Sequence, residues 1–291
     1  MPKTVSQGFE EFMSNLTPLS FEQTAATRHR AGVETSIKNA LGVTLFRETG
    51  SFHHGTGVRH HADLDILVSL AGLRPTSSDT ALGWIKTALQ NSYPTTPVRI
   101  SRPAVVVEFA NGEETVEVIP GYYTGGGDPA DFLYVYSIPG AASGWMESAP
   151  KAHLNYVNEC NTKDGIKGGT KKLARLAKAW KYYNNVPTSS FYLEMRAAQY
   201  MATQTSYNPT QDLCYFLEDL WRHQLASMND PKGYSSRFNA CSSDYRKADA
   251  LSRLNSGATR ARKAVDAYLS EDSFTAFYYL NLLFGGNFPA R

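Results

Sequence analysis

The chain has 291 residues, of which 42% are hydrophobic and 19% charged. That suffices for one large core or two modest ones, and it excludes a disordered segment. A net charge of +2 excludes a protein that coats nucleic acid by charge alone. The total hides an asymmetry, because residues 1–150 carry 10 Lys+Arg against 15 Asp+Glu while residues 151–291 carry 19 against 12. Cys160, Cys214 and Cys241 are far apart and match no C-x-x-C pattern, which fits a reducing compartment and argues against a disulfide framework or a cysteine zinc site. No apolar run approaches the ~20 residues that span a bilayer, and the first residues lack the apolar core of a signal peptide. A soluble cytoplasmic protein is expected.

In chain order, the first ~20 residues are mixed in character and read as only partly ordered. Residues 21–41 lack an interior proline and space Ala26, Val33, Ile37 and Leu41 at helical intervals. VTLFRET (43–49) and DLDILVSL (63–70) read as strands. In the second, Leu64, Ile66 and Val68 share one face and Asp63, Asp65 and Leu67 the other. Residues 78–91 read as a helix capped by Ser77 or Ser78. In AVVVEFANGEETVEVIP, two β-rich runs flank Asn111-Gly112, the preferred pair of a two-residue hairpin turn, which sets Val106 opposite Glu117 and Val107 opposite Val116. Residues 121–150 read as loop with one short strand near FLYVYSIP, the glycines 125–127 being a flexible loop. Helices are expected near 150–160, 168–184, 189–203, 209–227, 243–254, 259–270 and 272–284. The fold class is therefore α+β, with an N-terminal mixed sheet and flanking helices (1–150) and a C-terminal helical lobe (151–291). The boundary coincides with the change in charge sign.

Alternation in a strand sets Asp63 and Asp65 on one face about 7 Å apart. Such a pair suits hard divalent cations, which take oxygen ligands, although D-x-D alone also describes two solvated strand residues. Gly50-Ser51 follows the preceding strand, and a turn of this kind offers backbone N–H groups and a hydroxyl to a phosphate. The whole segment, GSFHHGTGVRHHADLDILVSL, reads as a phosphate-gripping turn, a connector with a second small pair at Gly55-Thr56, and a strand bearing two carboxylates.

That combination resembles the active-site signature of the polymerase-β-like nucleotidyltransferases. It is most similar to the branch holding oligoadenylate synthetases, cyclic GMP-AMP synthase and the bacterial CD-NTases of anti-phage signalling. The resemblance implies a two-lobed nucleotidyltransferase that needs a third carboxylate on a neighbouring strand. Glu117 stands at that place, where the family usually has Asp, and Glu108 on the facing strand is the alternative; Glu113 and Glu114 flank the turn as solvated residues. GTKKLARLAKAWKYYNNVPTSSFYLEM resembles the family's central helix followed by S-[FY]-x-L-E. On that match Lys178 and Ser190 contact the donor triphosphate and Phe191 stacks on its base. Asp230-Pro231 resembles the family's turn before its last helices. Taken without the resemblance, the same stretch is an amphipathic helix with a solvated basic stripe of Lys171, Arg175 and Lys178, and Phe191 is core.

The implied activity is template-independent transfer between nucleoside triphosphates, making a cyclic or short linear oligonucleotide. Two Mg²⁺ ions, replaceable by Mn²⁺, would be held by Asp63, Asp65 and Glu117. No membrane or nucleic-acid template is expected, and regulatory or effector proteins encoded nearby are the expected partners. The alternatives are transfer to an RNA end or small molecule, and an inactive nucleotide-binding relative. The pairs His53-His54 and His60-His61 read as cleft lining or solvated surface rather than metal ligands, and Asn161 as a helix C-terminal residue.

Overall fold

The computed structural model describes residues 2–61, 63–112, 114–128 and 133–291. Two apolar cores organise it. One is built on a sheet within residues 33–145, and the other is helical and draws on both ends of the chain.

The opening residues are ordered, contrary to the sequence expectation. Helix α1 (Val5–Leu16) starts in a capping box in which Gln7 N donates to Thr4 Oγ1 at 3.2 Å and Thr4 N to Gln7 Oε1 at 2.9 Å. Its Val5, Phe9, Phe12 and Leu16 form one buried face. The partners of that face lie at the far end of the sequence: the Phe12 ring is 4.5 Å from that of Phe284, and Phe9 is 5.1 Å from Phe288. No local pattern announces such a partner.

Helix α2 (Ser20–Ala40) places Val33 and Ile37 in the sheet core, as its spacing predicts, with Leu41 packed beside them; the Ala26 side chain lies outside the described residues. Strand β1 (Val43–Thr49) runs antiparallel to β2 (Leu64–Leu70). Helix α4 (Ser78–Ser92), capped by the Ser77 hydroxyl at 3.2 Å from Asp79 N, then crosses the sheet. Strands β3 (Val98–Ser101), β4 (Ala104–Phe109) and β5 (Glu114–Asp128) complete the order β1-β2-β5-β4-β3, with β5 parallel to β2. The sheet is therefore mixed, as expected. Val106 pairs with Glu117 and Val107 with Val116, the register the Asn-Gly pair predicts. The connection is a 3₁₀ turn over Ala110–Gly112, with φ of 47° at Ala110 and 90° at Gly112; Glu113 and the Asn111 side chain lie outside the described residues.

Residues 121–150 depart from the loop expectation. Strand β5 continues to Asp128 and pairs with β6 (Leu133–Pro139), which pairs with β7 (Trp145–Ser148). The glycines 125–127 lie within β5, at a register shift between Tyr123 and Gly127, where an extra residue bends the strand. Phe132 lies outside the described residues.

Helices α5 (Pro150–Thr162), α6 (Gly169–Tyr183), α7 (Ser190–Thr203) and α8 (Pro209–Arg222) follow. The helices expected at 243–254 and 259–270 are one, α9 (Asp244–Leu269), before α10 (Ser273–Leu283). Gly257 lies between the two expected helices. It admits the Trp180 indole, whose Nε1 would lie 2.6 Å from a Cβ there, so close packing explains the glycine and the helix runs through it. Among the described residues no helix is long and apolar enough to cross a membrane.

Candidate active site

The period-two pattern of β2 divides its side chains. Leu64, Ile66 and Val68 enter the core beneath α2 and α4, which leaves Asp63 and Asp65 on the opposite face with Leu67. Parallel register sets Asp65 beside Glu117 of β5. Burial pushes the Asp65 carboxyl well above the usual carboxylate range; the neighbouring Glu117 and Asp63 charges add to that, and Lys178 opposes it. Glu117 is raised too, by burial and by Asp63, with Arg99 opposing. Asp65 and Glu117 share a hydrogen bond, and Asp63 accepts from the Thr115 hydroxyl. Glu108 lies opposite Thr115 and accepts from Arg99 Nε at 2.6 Å. The structure thus brings Glu117, not Glu108, to the aspartates.

The turn after β1 is a short helix, α3 (Gly50–His53). Gly50 has φ of 68°, and a Cβ there would lie 1.7 Å from Asp65 Oδ2. Only glycine lets the turn close against that carboxylate. His54 N donates to Gly50 O at 3.0 Å and Thr56 N to Ser51 O at 2.9 Å, so the following residues hold the turn in shape. A cavity of about 430 Å³ opens beside it, lined by Phe46, Arg47, His53, Lys151 and Leu154 among others.

Lysines one turn apart on α6 have different surroundings. Lys178 is buried, ion-paired to Glu194 of α7, and donates to Thr56 Oγ1 at 2.8 Å. It does not reach Ser190. Lys181 does, donating to Ser190 Oγ at 2.6 Å, and the Tyr182 hydroxyl lies 3.1 Å from the same oxygen. Burial and the like charge of Lys178 push the Lys181 ammonium down to about 8, against the pull of Asp63. Burial raises the Tyr182 hydroxyl while its Ser190 bond opposes this, and the charges of Asp63, Asp65 and Glu117 push it further up. The three carboxylates therefore lie within electrostatic reach of α6. Phe191 is 37% exposed and packs beside the rings of His153 and Phe238 at 5.0 and 4.9 Å. It stands outside the buried helical core.

Sequence reasoning passed over Lys181, although it continues the Arg175–Lys178 stripe by one turn. It also gave no role to Glu194, the acid that closes SFYLE. Of the histidines, His54 is buried against Glu194, His61 stacks on Tyr182 at 4.4 Å, and His53 lines the cavity. Asn161 Oδ1 accepts from Lys171 N at 3.0 Å, joining α5 to the start of α6. Asp230, at the Asp-Pro turn, is buried against His153 and Ser235.

The donor set fits a divalent cation. Asp65 and Glu117 are both raised by burial and by the charge of Asp63, and the donors of all three are hard oxygens. Among the described residues no three His, Cys, Asp or Glu side chains converge on a common ion position as placed. Asp63 is drawn to Thr115, and Asp65 and Glu117 are drawn to each other.

The model of the Second Messenger Oligonucleotide or Dinucleotide Synthetase domain (SMODS) matches residues 3–161. A probable cyclic nucleotide synthase of Bacillus cereus is 23% identical, over 88% of this chain and 89% of its own length. The fold is similar to Escherichia coli CdnC, solved with ATP (TM-score 0.75, 17% identity, 98% of each chain) and also in complex with HORMA-deltaN. It is similar as well to Bradyrhizobium diazoefficiens CdnG in complex with GTP (TM-score 0.73, 17% identity, 96% of this chain and 94% of that one). Vibrio cholerae DncV, a cyclic AMP-GMP synthase solved with a linear intermediate, matches at a TM-score of 0.65 and 15% identity, over 84% of this chain and 70% of its own. The chain belongs to the SMODS family and is a CD-NTase, a nucleotidyltransferase of the class that makes cyclic oligonucleotide second messengers.

Proposed function

We propose that this enzyme joins nucleoside triphosphates by divalent-metal phosphoryl transfer at Asp63, Asp65 and Glu117. The observation that carries the reading is Asp65 paired beside Glu117 with the Gly50 turn closed against the Asp65 carboxylate. By packing, the chain divides into a sheet lobe and a helical lobe that takes in α1, with the nucleotide between them.

Asp63, Asp65 and Glu117 would hold two Mg²⁺ ions, or Mn²⁺, once Asp63 leaves Thr115. Bound there, the ions would neutralise charge on the attacking and leaving oxygens of an in-line displacement. Gly50 and Ser51 cradle phosphate oxygens from the sheet side. On the helical side Lys181 and Ser190 take the far end of the triphosphate, the role that Lys178 is too buried to fill. Phe191 offers its ring to the donor base, a contact every base can make. An acceptor ribose hydroxyl attacks the α-phosphorus, its proton passes to the carboxylate cluster, and pyrophosphate leaves. The chain chiefly positions reactants, so no nucleophilic side chain is required. A second transfer on the bound linear product closes the ring.

The complex of CdnC with HORMA-deltaN supports a protein partner for this chain; regulatory or effector proteins encoded nearby and a role in bacterial anti-phage signalling rest on the family resemblance. The deciding experiment incubates the purified protein with each combination of ATP, GTP, CTP and UTP and Mg²⁺ or Mn²⁺, with products identified by mass spectrometry and nuclease sensitivity. Short soluble oligonucleotides are expected, and Asp63→Asn with Asp65→Asn should abolish them while leaving the fold intact. Product only with an added RNA or small-molecule acceptor would make this a tailing or modifying enzyme. No metal-dependent pyrophosphate release would make it an inactive relative.

A further inference from the structure

The carboxylate of Glu194 is buried in the middle of the molecule, and both of its oxygens are used. Oε1 meets His54 Nδ1 at 2.5 Å, and Oε2 receives the Thr56 hydroxyl at 2.5 Å and the Lys178 ammonium. Lys178 Nζ also donates to the Thr56 hydroxyl at 2.8 Å. Burial alone would push the Glu194 carboxyl up, but the Lys178 charge and the bonds from His54 and Lys178 hold it well below the usual carboxylate range.

The position of this cluster gives it meaning. His54 and Thr56 are the residues whose backbone amides hold the Gly50 and Ser51 carbonyls. Glu194 stands one turn after Ser190 on α7, and Lys178 one turn before Lys181 on α6, so each shares a helix face with a phosphate-binding candidate. One turn further back, Arg175 donates to the carbonyls of Gly55 at 2.7 Å and Gly57 at 2.8 Å. The stripe Arg175–Lys178–Lys181 thus fastens the turn's connector twice before reaching Ser190. A buried ion pair contributes little net stability over a well-packed apolar pair, and the surrounding α6–α7 contact is otherwise built of Leu, Ala and Met. Stability alone is a poor reason for charge here, whereas fixed geometry is a good one.

We propose that Glu194, Lys178, His54 and Thr56 form a buried clamp that sets the register of the Gly50–Ser51 turn against α6 and α7. Lys178 and Glu194 are then positioning residues, and the distance between the two phosphate-gripping surfaces is fixed by one carboxylate. This rests on the proposed phosphoryl transfer only for its kinetic consequence.

The test compares Thr56→Val, Thr56→Ser and Glu194→Gln with the wild type in the full chain. The first readout needs no activity: hydrogen exchange of the amides of residues 51–56. Thr56→Val and Glu194→Gln should speed exchange there at least tenfold and leave the β5 amides unchanged, and Thr56→Ser should restore protection. The second readout is steady-state transfer with ATP and GTP in Mg²⁺. A displacement near 1 Å costs about 100-fold in rate, so kcat should fall by about that factor in Thr56→Val, recover in Thr56→Ser, and leave KM within about threefold. Unchanged exchange in 51–56 would overturn the clamp whether or not the protein turns over. Lowered melting temperature with unchanged kcat per folded molecule would reduce the cluster to a structural ion pair. Lys178→Met raising KM tenfold with kcat preserved would make Lys178 a nucleotide ligand and equally overturn the proposal. A wild type that makes no product while the exchange effects appear would sink the reaction and leave the clamp standing.

Discussion

Gly50 and Gly55 allow the contact between the turn and Asp65 to be weighed separately from backbone strain. Both have nearly the same conformation, with φ of 68° and 69°. Alanine at either should cost about 1–2 kcal/mol for a side chain in the left-handed region, which in a chain of this size lowers the melting temperature by roughly 2–8 °C. Their surroundings differ. At Gly55 a Cβ meets only the flexible end of Lys171, at 3.9 Å, whereas at Gly50 it lies 1.7 Å from Asp65 Oδ2, 2.4 Å from its Cγ and 2.7 Å from its Cβ. Non-bonded carbons rest at about 3.5–4.0 Å, so Asp65 or the turn must move by roughly 1.5 Å. A carboxylate displaced by more than 1 Å costs at least about 100-fold in rate, or about 2.7 kcal/mol of transition-state stabilisation. Gly50→Ala should therefore lose at least about 100-fold in pyrophosphate release while Gly55→Ala, melting at a similar temperature, keeps most of its activity. Pyrophosphate release at saturating ATP and GTP, with thermal melts of both variants, measures this. Equal activity in the two would refute the assignment of the Gly50–Asp65 contact to the active centre.

Lys181 titrates at about 8, so its charge is present below that pH and lost as pH rises through it. The KM for nucleoside triphosphate should accordingly rise between about pH 7.5 and 9.5, and Lys181→Met should have a raised, flatter KM profile; a profile unchanged by the substitution would remove Lys181 from the triphosphate site. Phe12→Ala removes a fully buried ring between α1 and α10 and should cost about 3–5 kcal/mol in a urea melt. That ring packs on Tyr183, Phe284 and Phe288, so kcat per folded molecule should be unchanged. Phe191→Ala, by contrast, removes a partly exposed ring and should alter the KM for the donor nucleotide with little effect on the urea midpoint.

The strand that carries the two aspartates was legible because its signal is local. Alternation in DLDILVSL places both aspartates on one face without reference to the rest of the chain, and the Asn-Gly pair sets the register that determines which face Glu117 occupies. The lysine was not legible in the same way. Lys178 and Lys181 lie three residues apart on one helix, both within a basic stripe, and their surroundings diverge through Glu194 and Ser190, which a separate helix supplies. Helix α1 was missed for a related reason, since its order depends on Phe284 and Phe288. Of the strands within 121–150, β6 was legible in FLYVYSIP, whereas the extension of β5 and strand β7 were hidden by a composition that resembles loop. Helix α9 was read as two helices, and nothing nearby in the sequence announces the Trp180 ring that packs against Gly257 inside it.

The packing of α1 against the last helix sets an order of events during synthesis. Phe284 and Phe288, which cover the apolar face of Phe9 and Phe12, are made more than 270 residues after it. At about 5–20 residues per second, roughly 15–55 s separate the two. The sheet core draws on residues 33–122 and has all its strands well before then. The strands that carry Asp65 and Glu117 can therefore pair while α1 still waits for the rings that cover it, so the sheet core can form before the helical core closes.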